Sequence, residues 1–529
     1  MQNIINVKDP AYGALGDGVT NDTDAFIAAC TVLNAQRGGT LLIPPGVYMV
    51  GKQTLAGQTG LGYAYQPSDI IHIANCTYPV AIEGKGAVLR AASGLKYGAF
   101  HPVTGQPENT TLPFTSADYA ARVGRMIQLE NNSGGVVINH LELDGNAATL
   151  SLGGRWGTLE GNGRELDATG VWSSGNASLL MDTLNIHHHA LDGMVLRDDG
   201  MTAESLRMPV TLQNVNSVYN GRNGLRWEGG CGLTAMDCRF NHSGRGALAT
   251  AVAAGVAVLP LPTSYAQQGV FMNCEMINNV GPGFFSSGSN SSDVSIHTST
   301  LIGTSSYAAS PTSPRVHFTD CTLAGQVVYP YADTATDRGR ATQFTRCRFT
   351  DALDYQGQVY THASWYLLDF GSASTGVKLT ECSIDTVVAK LGYSNGLMTI
   401  TDTRMKQSNN TGDANLQAVF VGDNTIESSG NNPLTSSIVV GRLVINGQAA
   451  VVYEPQSRFN RLLGKDVNGD KMQRVMYYYH PNNSVSATAA QGDIVYNTAP
   501  VVGNPVGWIC VQGGTSTTSV WKGFGTIVN

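Results

Sequence analysis

The chain has 529 residues, of which 13% are charged, and its formal net charge is −7. The negative charge argues against a nucleic-acid-binding protein, because such proteins carry basic patches, and no apolar run reaches the ~18 residues of a membrane span. A chain of this length is too long for one ordinary hydrophobic core, unless the core grows by repetition. Its 62 glycines favour a β-rich fold with many tight turns. The N-terminus lacks a basic segment followed by an apolar core, so it predicts no signal peptide.

The first predicted element is a short helix. The stretch "GALGDGVTNDTDAF" supplies turn-forming glycines and then Asn21 and Asp22, either of which could cap a helix. Apolar residues recur at helical spacing through Leu33, until Gly38 and Gly39 end the pattern. The next stretch, "TLLIPPGVYMV", predicts two strands around a Pro-Gly turn.

These two stretches resemble the N-terminal cap of the pectate-lyase-like superfamily, and most of all its branch of phage tailspikes and bacterial exopolysaccharide depolymerases. The resemblance implies an all-β fold, a right-handed parallel β-helix, with residues 1–50 forming its N-terminal cap around one short helix.

A repeat fills the middle of the chain. The segments "INHLELDGN", "MDTLNIHHHALDG", "LQNVNSVYNGRNG" and "FMNCEMINNVGPG" share an alternating apolar core and end in Asn/Gly turns. Each unit takes roughly 20 to 35 residues, which suits one coil of a β-solenoid. The repeat predicts a β-helix body over residues 51–410 with inserted loops, followed by a connecting β-region over 411–455.

Cysteines recur at one position of this repeat, in "FMNCEM", "FTDCTL", "FTRCRF" and "LTECSI". Metal-binding pairs need short C-x-x-C spacing, and that spacing is absent. Because equivalent positions of a solenoid stack in line, we expect Cys274, Cys321, Cys347 and Cys382 to form a buried ladder of reduced thiols.

The last part of the chain, 456–529, changes character. Its end, "GDIVYNTAPVVGNPVGWICVQGGTSTTSVWKGFGTIVN", resembles the small C-terminal β module of many tailspike-like and exopolysaccharide-degrading proteins. The resemblance therefore covers both ends of the chain.

Acidic residues concentrate around three predicted insertions, at 148–168, 198–208 and 247–268, where clefts form in an otherwise smooth solenoid. Strand alternation in "GMVLRDD" and "GLRWEGG" points Leu225 and Trp227 inward, and it places Arg197 beside Glu228 on neighbouring coils. We expect Asp198 and Asp199 to repel each other, so that one keeps its proton while Glu228 is ionised. These three residues are the predicted acid–base set of a glycosidase.

Substrate-binding candidates surround this set. Arg197, Arg226 and His187 could pair with the carboxylates of an acidic polysaccharide. The aromatic rings of Trp172, Trp156 and Tyr219 could stack on sugars, although Trp172 could equally pack against a loop. Three adjacent histidines, 187–189, cannot easily converge on one ion in a strand, so we expect no metal site.

Three functions fit these patterns. The first is an endo-acting glycoside hydrolase that cleaves a bacterial exopolysaccharide or capsular polysaccharide. The second is a polysaccharide lyase that acts on uronic acids, with His187, Arg226 or Tyr219 as base, and the third is a non-catalytic glycan-binding fibre. We expect no cofactor, nucleic acid or membrane partner. The resemblance implies a homotrimer that is virion-associated, or exported to the bacterial periplasm or cell surface.

Overall fold

The computed structural model of the chain describes residues 3–110, 112–157, 163–198, 209–362, 365–372, 374–408, 416–428, 438–445, 448–449, 475–478, 491–497, 501–515 and 518–528. These residues form two compact units. The first comprises Met1–Val328 and Leu353–His362, and the second comprises Tyr329–Ala352 and Ala363–Asn529.

Two long parallel sheets build the first unit, and together they form the coils of a right-handed parallel β-helix, as predicted. The strands of the first sheet are Ile4–Asn6, Asp17–Asn21, Gly39–Leu42, Val47–Val50, Val80–Ala91, Val136–Asp144, Leu179–His187, Val210–Val218, Gly230–Cys231, Leu233–Met236, Ala266–Met272, Glu275–Asn279, Ser291–His297, Thr300–Gly303, Val316–Thr319 and Thr322–Ala324. The strands of the second sheet are Ile71–Ala74, Gly124–Glu130, Ala168–Ser174, Met194–Arg197, Leu225–Trp227, Val256–Val258, Phe284–Ser286, Ala309–Pro311 and Val327–Val328.

Each long strand of the first sheet bends at one residue with a left-handed backbone. His140, Thr183 and Asn214 occupy this position in three successive coils, with φ values of 53°, 55° and 52°. The bend turns each strand around the core, so that apolar side chains on both sides of it face inward, as Met181 and Leu184 do. Because the strands pair in register, each residue stacks on its equivalent in the next coil.

The predicted capping helix spans Thr23–Ala35 and buries Phe26, Ala29 and Leu33. The carboxylate of Asp22 accepts hydrogen bonds from the backbone N–H groups of Leu15 (2.8 Å) and Gly16 (3.0 Å), so it fixes the glycine-rich turn. Asn21 instead accepts the backbone N–H of Thr23 at the helix start (3.1 Å). Short 3₁₀ helices follow at Ala117–Tyr119 and Ala147–Thr149, and within the described ranges no helix is long and apolar enough to cross a membrane.

Smaller sheets complete the first unit. A five-stranded sheet and a hairpin lie outside the two long sheets. The sheet contains Gln53–Leu55, Tyr65–Pro67, Lys96–Ala99, Ala120–Ala121 and Ser151–Leu152, and the hairpin joins Ala352–Tyr355 to Gln358–Thr361.

The second unit also contains parallel coil strands, together with a separate four-stranded sheet. Its coil strands are Gln343–Thr345, Arg348–Thr350, Tyr366–Gly371, Lys378–Thr380, Ser383–Thr386, Lys390–Ser394, Met398–Thr401, Arg404–Gln407, Ala418–Ser428, Ile438–Ile445 and Gln448–Ala449. The C-terminal sheet contains Val475–Tyr478, Ile494–Asn497, Pro505–Gln512 and Val520–Thr526. The boundaries at 50, 410 and 455 stay predictions.

The cysteine ladder is confirmed, since all nine cysteines are free and buried. Each repeat cysteine directly follows the left-handed bend residue, as Cys321 follows Asp320 (φ 56°). The thiol of Cys321 donates to the carbonyl of Thr319 (3.3 Å), and at the same coil position the hydroxyl of Ser299 donates to the carbonyl of His297 (2.7 Å). In these coils the position holds a small side chain that donates a hydrogen bond across the bend, whereas earlier coils place Leu184 or Val215 there.

We expect Cys274, Cys321, Cys347 and Cys382 to resist a thiol-reactive dye in the native protein and to react fully once it unfolds, because burial hides the sulfur from solvent. Labelling followed by peptide mass spectrometry, with and without denaturant, measures this. Rapid labelling of these four cysteines in the native protein would contradict the ladder.

Candidate active site

The strands next to the predicted acidic site belong to the second sheet. Strand Met194–Arg197 pairs with strand Leu225–Trp227, with Leu196 opposite Trp227. The backbone N–H of Glu228 continues this ladder by donating to the carbonyl of Leu196 (2.7 Å). Arg197 and Glu228 therefore occupy neighbouring positions on adjacent coils, while Leu225 and Trp227 are buried inside the coil as predicted.

Glu228 is a buried carboxyl group held between cations. The guanidinium of Arg226 lies 2.7 Å from its Oε1, and only 7% of the Glu228 side chain is exposed. Burial raises the pKa of Glu228, although the nearby charges of Arg226 and Arg197 oppose this rise. Desolvation favours the protonated form of Glu228, whereas the sequence led us to expect an ionised Glu228.

Asp198 is also buried, one residue beyond Arg197. Its backbone carbonyl accepts the hydroxyl of Ser264 (2.8 Å), and the backbone N–H of Leu261 donates to the carbonyl of Glu228 (3.0 Å). The segment 259–265 thus anchors both acidic positions. Gly229 lies against Asp198, where a Cβ atom would come within 2.9 Å of the Asp198 carbonyl oxygen. Asp199 lies outside the described residues.

Beside this site, Asp192 and Arg222 form a buried ion pair. The Asp192 carboxylate accepts hydrogen bonds from Arg222 Nε (2.9 Å), Arg222 Nη2 and both nitrogens of Asn223 (2.9 and 3.1 Å). Arg222 also lies 3.9 Å from Glu165 of the inserted segment. Both oxygens of Asp192 therefore accept hydrogen bonds, and the ion pair holds this turn in place.

Two of the three aromatic candidates are not available for sugar stacking. Trp172 is buried, and the guanidinium of Arg125 lies 3.9 Å from its ring centroid, so one face is covered by a cation. Tyr219 stacks between His188 (5.4 Å, 5°) and His242 (4.6 Å, 18°), so both of its faces are occupied. Trp156, in the inserted segment, is partly exposed and stays a candidate.

His187 lies at the end of a first-sheet strand, where its ring contacts Glu142 (3.3 Å) and His188 (2.7 Å) rather than the Glu228 site. The expectation that adjacent histidines diverge was wrong for this pair. His188 has a φ of 55°, and this left-handed backbone interrupts the alternation of a strand. His189 does point inward, where burial lowers its pKa to about 3 and its Nε2 lies 3.2 Å from the carbonyl oxygen of Leu143.

A separate groove of about 540 Å³ follows the bends of the first sheet. Its lining includes Lys85, Glu142, Asn185, Asn214 and Asn216. Its lining residues come from four coils, and the repeat in the sequence does not show that their bends together enclose a groove.

The Asp192–Arg222 pair predicts a stability effect. Replacing Asp192 by Asn leaves a buried guanidinium without its main counter-charge, which typically costs about 3–5 kcal/mol. Chemical denaturation should show this loss. Asp24→Asn is the matched control, because its ion pair with Lys52 is exposed and should shift the unfolding midpoint little. Equal midpoints for the two variants would contradict the structural role of Asp192.

Part of the chain matches a known family model. Residues 169–349 match the family model "Right handed beta helix region", which covers the strands that carry Arg197 and Glu228. The expected relationship to right-handed parallel β-helix proteins is thereby confirmed.

Sequence relatives match only a short stretch. The mannuronan C5-epimerases AlgE6 and AlgE1 of Azotobacter vinelandii are each 53% identical over 45 residues, which is 8% of this chain. The match spans only 5% and 3% of the length of these two relatives.

Solved structures with a similar fold are more distant in sequence. The A-module of the Azotobacter vinelandii mannuronan C-5 epimerase AlgE4 is 16% identical, with a TM-score of 0.37 over 82% of this chain and 97% of that one. The tailspike gp49 of Acinetobacter baumannii bacteriophage Fri1, a capsular polysaccharide depolymerase, is 12% identical, with a TM-score of 0.40 over 81% and 63%.

Proposed function

We propose that this chain is a glycoside hydrolase that cleaves a bacterial exopolysaccharide or capsular polysaccharide on the outer face of its second sheet. The observation that carries the proposal is the environment of Glu228: a buried carboxyl group with a raised pKa, flanked by Arg226 on its own strand and by Arg197 on the adjacent strand. Asp198 follows Arg197 directly in the chain and is also buried. Glycoside hydrolysis requires one protonated and one ionised carboxyl group, and different environments separate their pKa values.

In the proposed reaction Glu228 is the general acid. It donates its proton to the glycosidic oxygen as the bond to the anomeric carbon breaks, and Asp198 takes a proton from the water that attacks this carbon. One water molecule is thereby added across the broken bond. Asp199 is an alternative base, because it follows Asp198 directly in the chain.

Arg226 links substrate charge to the protonation of Glu228. In the free protein its guanidinium stabilises the ionised form of Glu228 at 2.7 Å. A uronate or other acidic sugar that pairs with Arg226 takes up part of this positive charge, so the proton affinity of Glu228 rises when substrate binds. Arg226 and Arg197 therefore select an acidic polysaccharide, and the binding of this substrate favours the protonated form of Glu228.

The short match to mannuronan epimerases supports a polysaccharide as the substrate class. Such a polymer lies outside the cell that produces it, so we place the protein outside the cytoplasm, on a virion or exported to the periplasm or cell surface. Trp156, partly exposed in the inserted segment, would contribute a stacking surface for one sugar ring.

Glu228→Gln tests the proposed acid. It keeps the shape of the side chain but removes the proton donor, so the cleavage rate should fall by about 10²–10⁴-fold. In the wild type, activity should fall as pH rises through the raised pKa of Glu228, because the acid is then ionised. The residual activity of the variant should not show this decrease with rising pH. Rates of polysaccharide cleavage across pH measure both effects.

Glu130→Gln is the matched control. Glu130 lies opposite Ser174, which lies opposite Arg197, so it occupies the same row of the same sheet but pairs with His72 (2.8 Å). It should retain wild-type cleavage. A Glu228→Gln protein that folds and cleaves at near wild-type rate would refute the assignment.

Polysaccharide β-elimination is the second candidate, favoured by the two arginines that could neutralise a uronate carboxylate. The mass of the products separates the two reactions. A hydrolytic product gains one water, and an elimination product instead carries a carbon–carbon double bond that absorbs ultraviolet light. Tight binding without any product would favour a glycan-binding fibre.

We also propose a homotrimer. The C-terminal sheet and its flanks expose valine side chains that a monomer leaves in water; they are Val501, Val502, Val506, Val511, Val520 and Val528. Association would cover this apolar surface. Sedimentation at micromolar concentration should give three times the chain mass, and Val502→Asp should shift it towards the monomer. A stable wild-type monomer would contradict the trimer.

A further inference from the structure

A cluster of nitrogen and oxygen donors lies on the outer face of the first sheet, away from the residues of the proposed acid–base set. Asp144 and His187 end two neighbouring strands and stand opposite each other in register. His188 follows His187, and its left-handed backbone brings its ring to the same side. Three donor groups from two coils therefore meet at one point of the surface.

Distances within the cluster suit a single ion. His187 Nδ1 lies 2.7 Å from His188 Nδ1 and 3.7 Å from Asp144 Oδ1, and one donor atom from each residue lies within 4.8 Å of the others. Donors about 2.0–2.1 Å from a metal can lie up to about 4.2 Å apart. If the two imidazole nitrogens moved about half an ångström further apart, the angle between them at a bound metal would be close to tetrahedral.

Neighbouring side chains orient each donor. Glu142 Oε1 lies 3.3 Å from His187 Nε2, which leaves Nδ1 of that ring for a ligand. Tyr219 stacks on the ring of His188 and fixes its plane. Arg90 Nε holds Asp144 Oδ2 at 2.8 Å, so Oδ1 faces His187. The positive charge of Arg90 disfavours a bound cation, but the carboxylates of Glu142 and Asp144 carry two negative charges against this single positive one.

We propose that Asp144, His187 and His188 bind one divalent transition-metal ion of the zinc and cobalt class. Two imidazole nitrogens and one carboxylate oxygen form a donor set that suits these metals, whereas calcium and magnesium prefer oxygen donors alone. His188 is exposed, so an ion can reach the site from solvent and keep a water or a sugar oxygen as a further ligand. The proposal is independent of the acid–base assignment.

His189 and His242 take no part in this site. His189 points into the coil, towards Leu143. His242 is the third ring of the stack, but it touches Tyr219 rather than the donor atoms. The alternative to a metal site is a simple hydrogen bond between the imidazoles of His187 and His188, and this bond would not depend on any metal.

Cobalt titration of the untagged, chelator-treated full chain tests the site. We expect one equivalent of Co²⁺ per chain with visible absorption bands from nitrogen and oxygen ligands. Glu142→Gln should weaken binding about 10- to 100-fold, since it removes the group that orients His187. His187→Ala and His188→Ala should weaken it further, while His242→Ala should bind as the wild type does.

Circular dichroism and unfolding temperature establish that each variant keeps its fold, so lost binding reports the lost donor. Zn²⁺ should displace the bound Co²⁺ and abolish the visible bands. Absence of Co²⁺ binding by the wild type would overturn the proposal. The proposal would also be overturned if His187→Ala and His188→Ala both fold and bind Co²⁺ with wild-type affinity.

Discussion

In-register stacking of parallel coils is the constraint on which the rest of the structure depends. Each strand pairs with the equivalent strand of the next coil, so a residue type placed once per repeat becomes a line of side chains along the solenoid. Asn132 and Asn176 hydrogen-bond in this way inside the coil (2.7 Å), and the repeat cysteines follow the same rule. On the outside the rule brings Arg197 beside Glu228 and stacks His188 on Tyr219.

Local electrostatics then decide what each stacked acid can do. Asp192 has four donors around its two oxygens and a buried cation beside it, so its charge is compensated and its role is structural. Burial raises the pKa of Glu228, although the charges of Arg226 and Arg197 oppose this rise. A carboxyl group that desolvation keeps near protonation suits proton transfer, whereas a fully compensated one does not. The two carboxyl groups therefore differ in their surroundings, and this difference is the reason why we propose Glu228 rather than Asp192 as the proton donor.

Sequence reasoning predicted what depends on short-range periodicity. The capping helix, the coil repeat, the cysteine ladder and the inward direction of Leu225 and Trp227 all follow from spacings within one repeat. It did not predict two contacts between neighbouring coils whose residues are far apart in the chain: Arg125 covers Trp172 from 47 residues away, and Arg222 meets Asp192 from 30. The convergence of His187 and His188 depends on the backbone of one residue, which the alternation pattern does not specify.

The most direct test of the account is a crystal structure of Glu228→Gln with an oligosaccharide of the substrate bound. The account predicts sugar rings along the outer face of the second sheet, with an acidic group paired to Arg226 or Arg197 and a glycosidic oxygen within about 3 Å of the side chain at position 228. Sugar bound only in the groove lined by Asn185 and Asn216, with the second sheet empty, would contradict it.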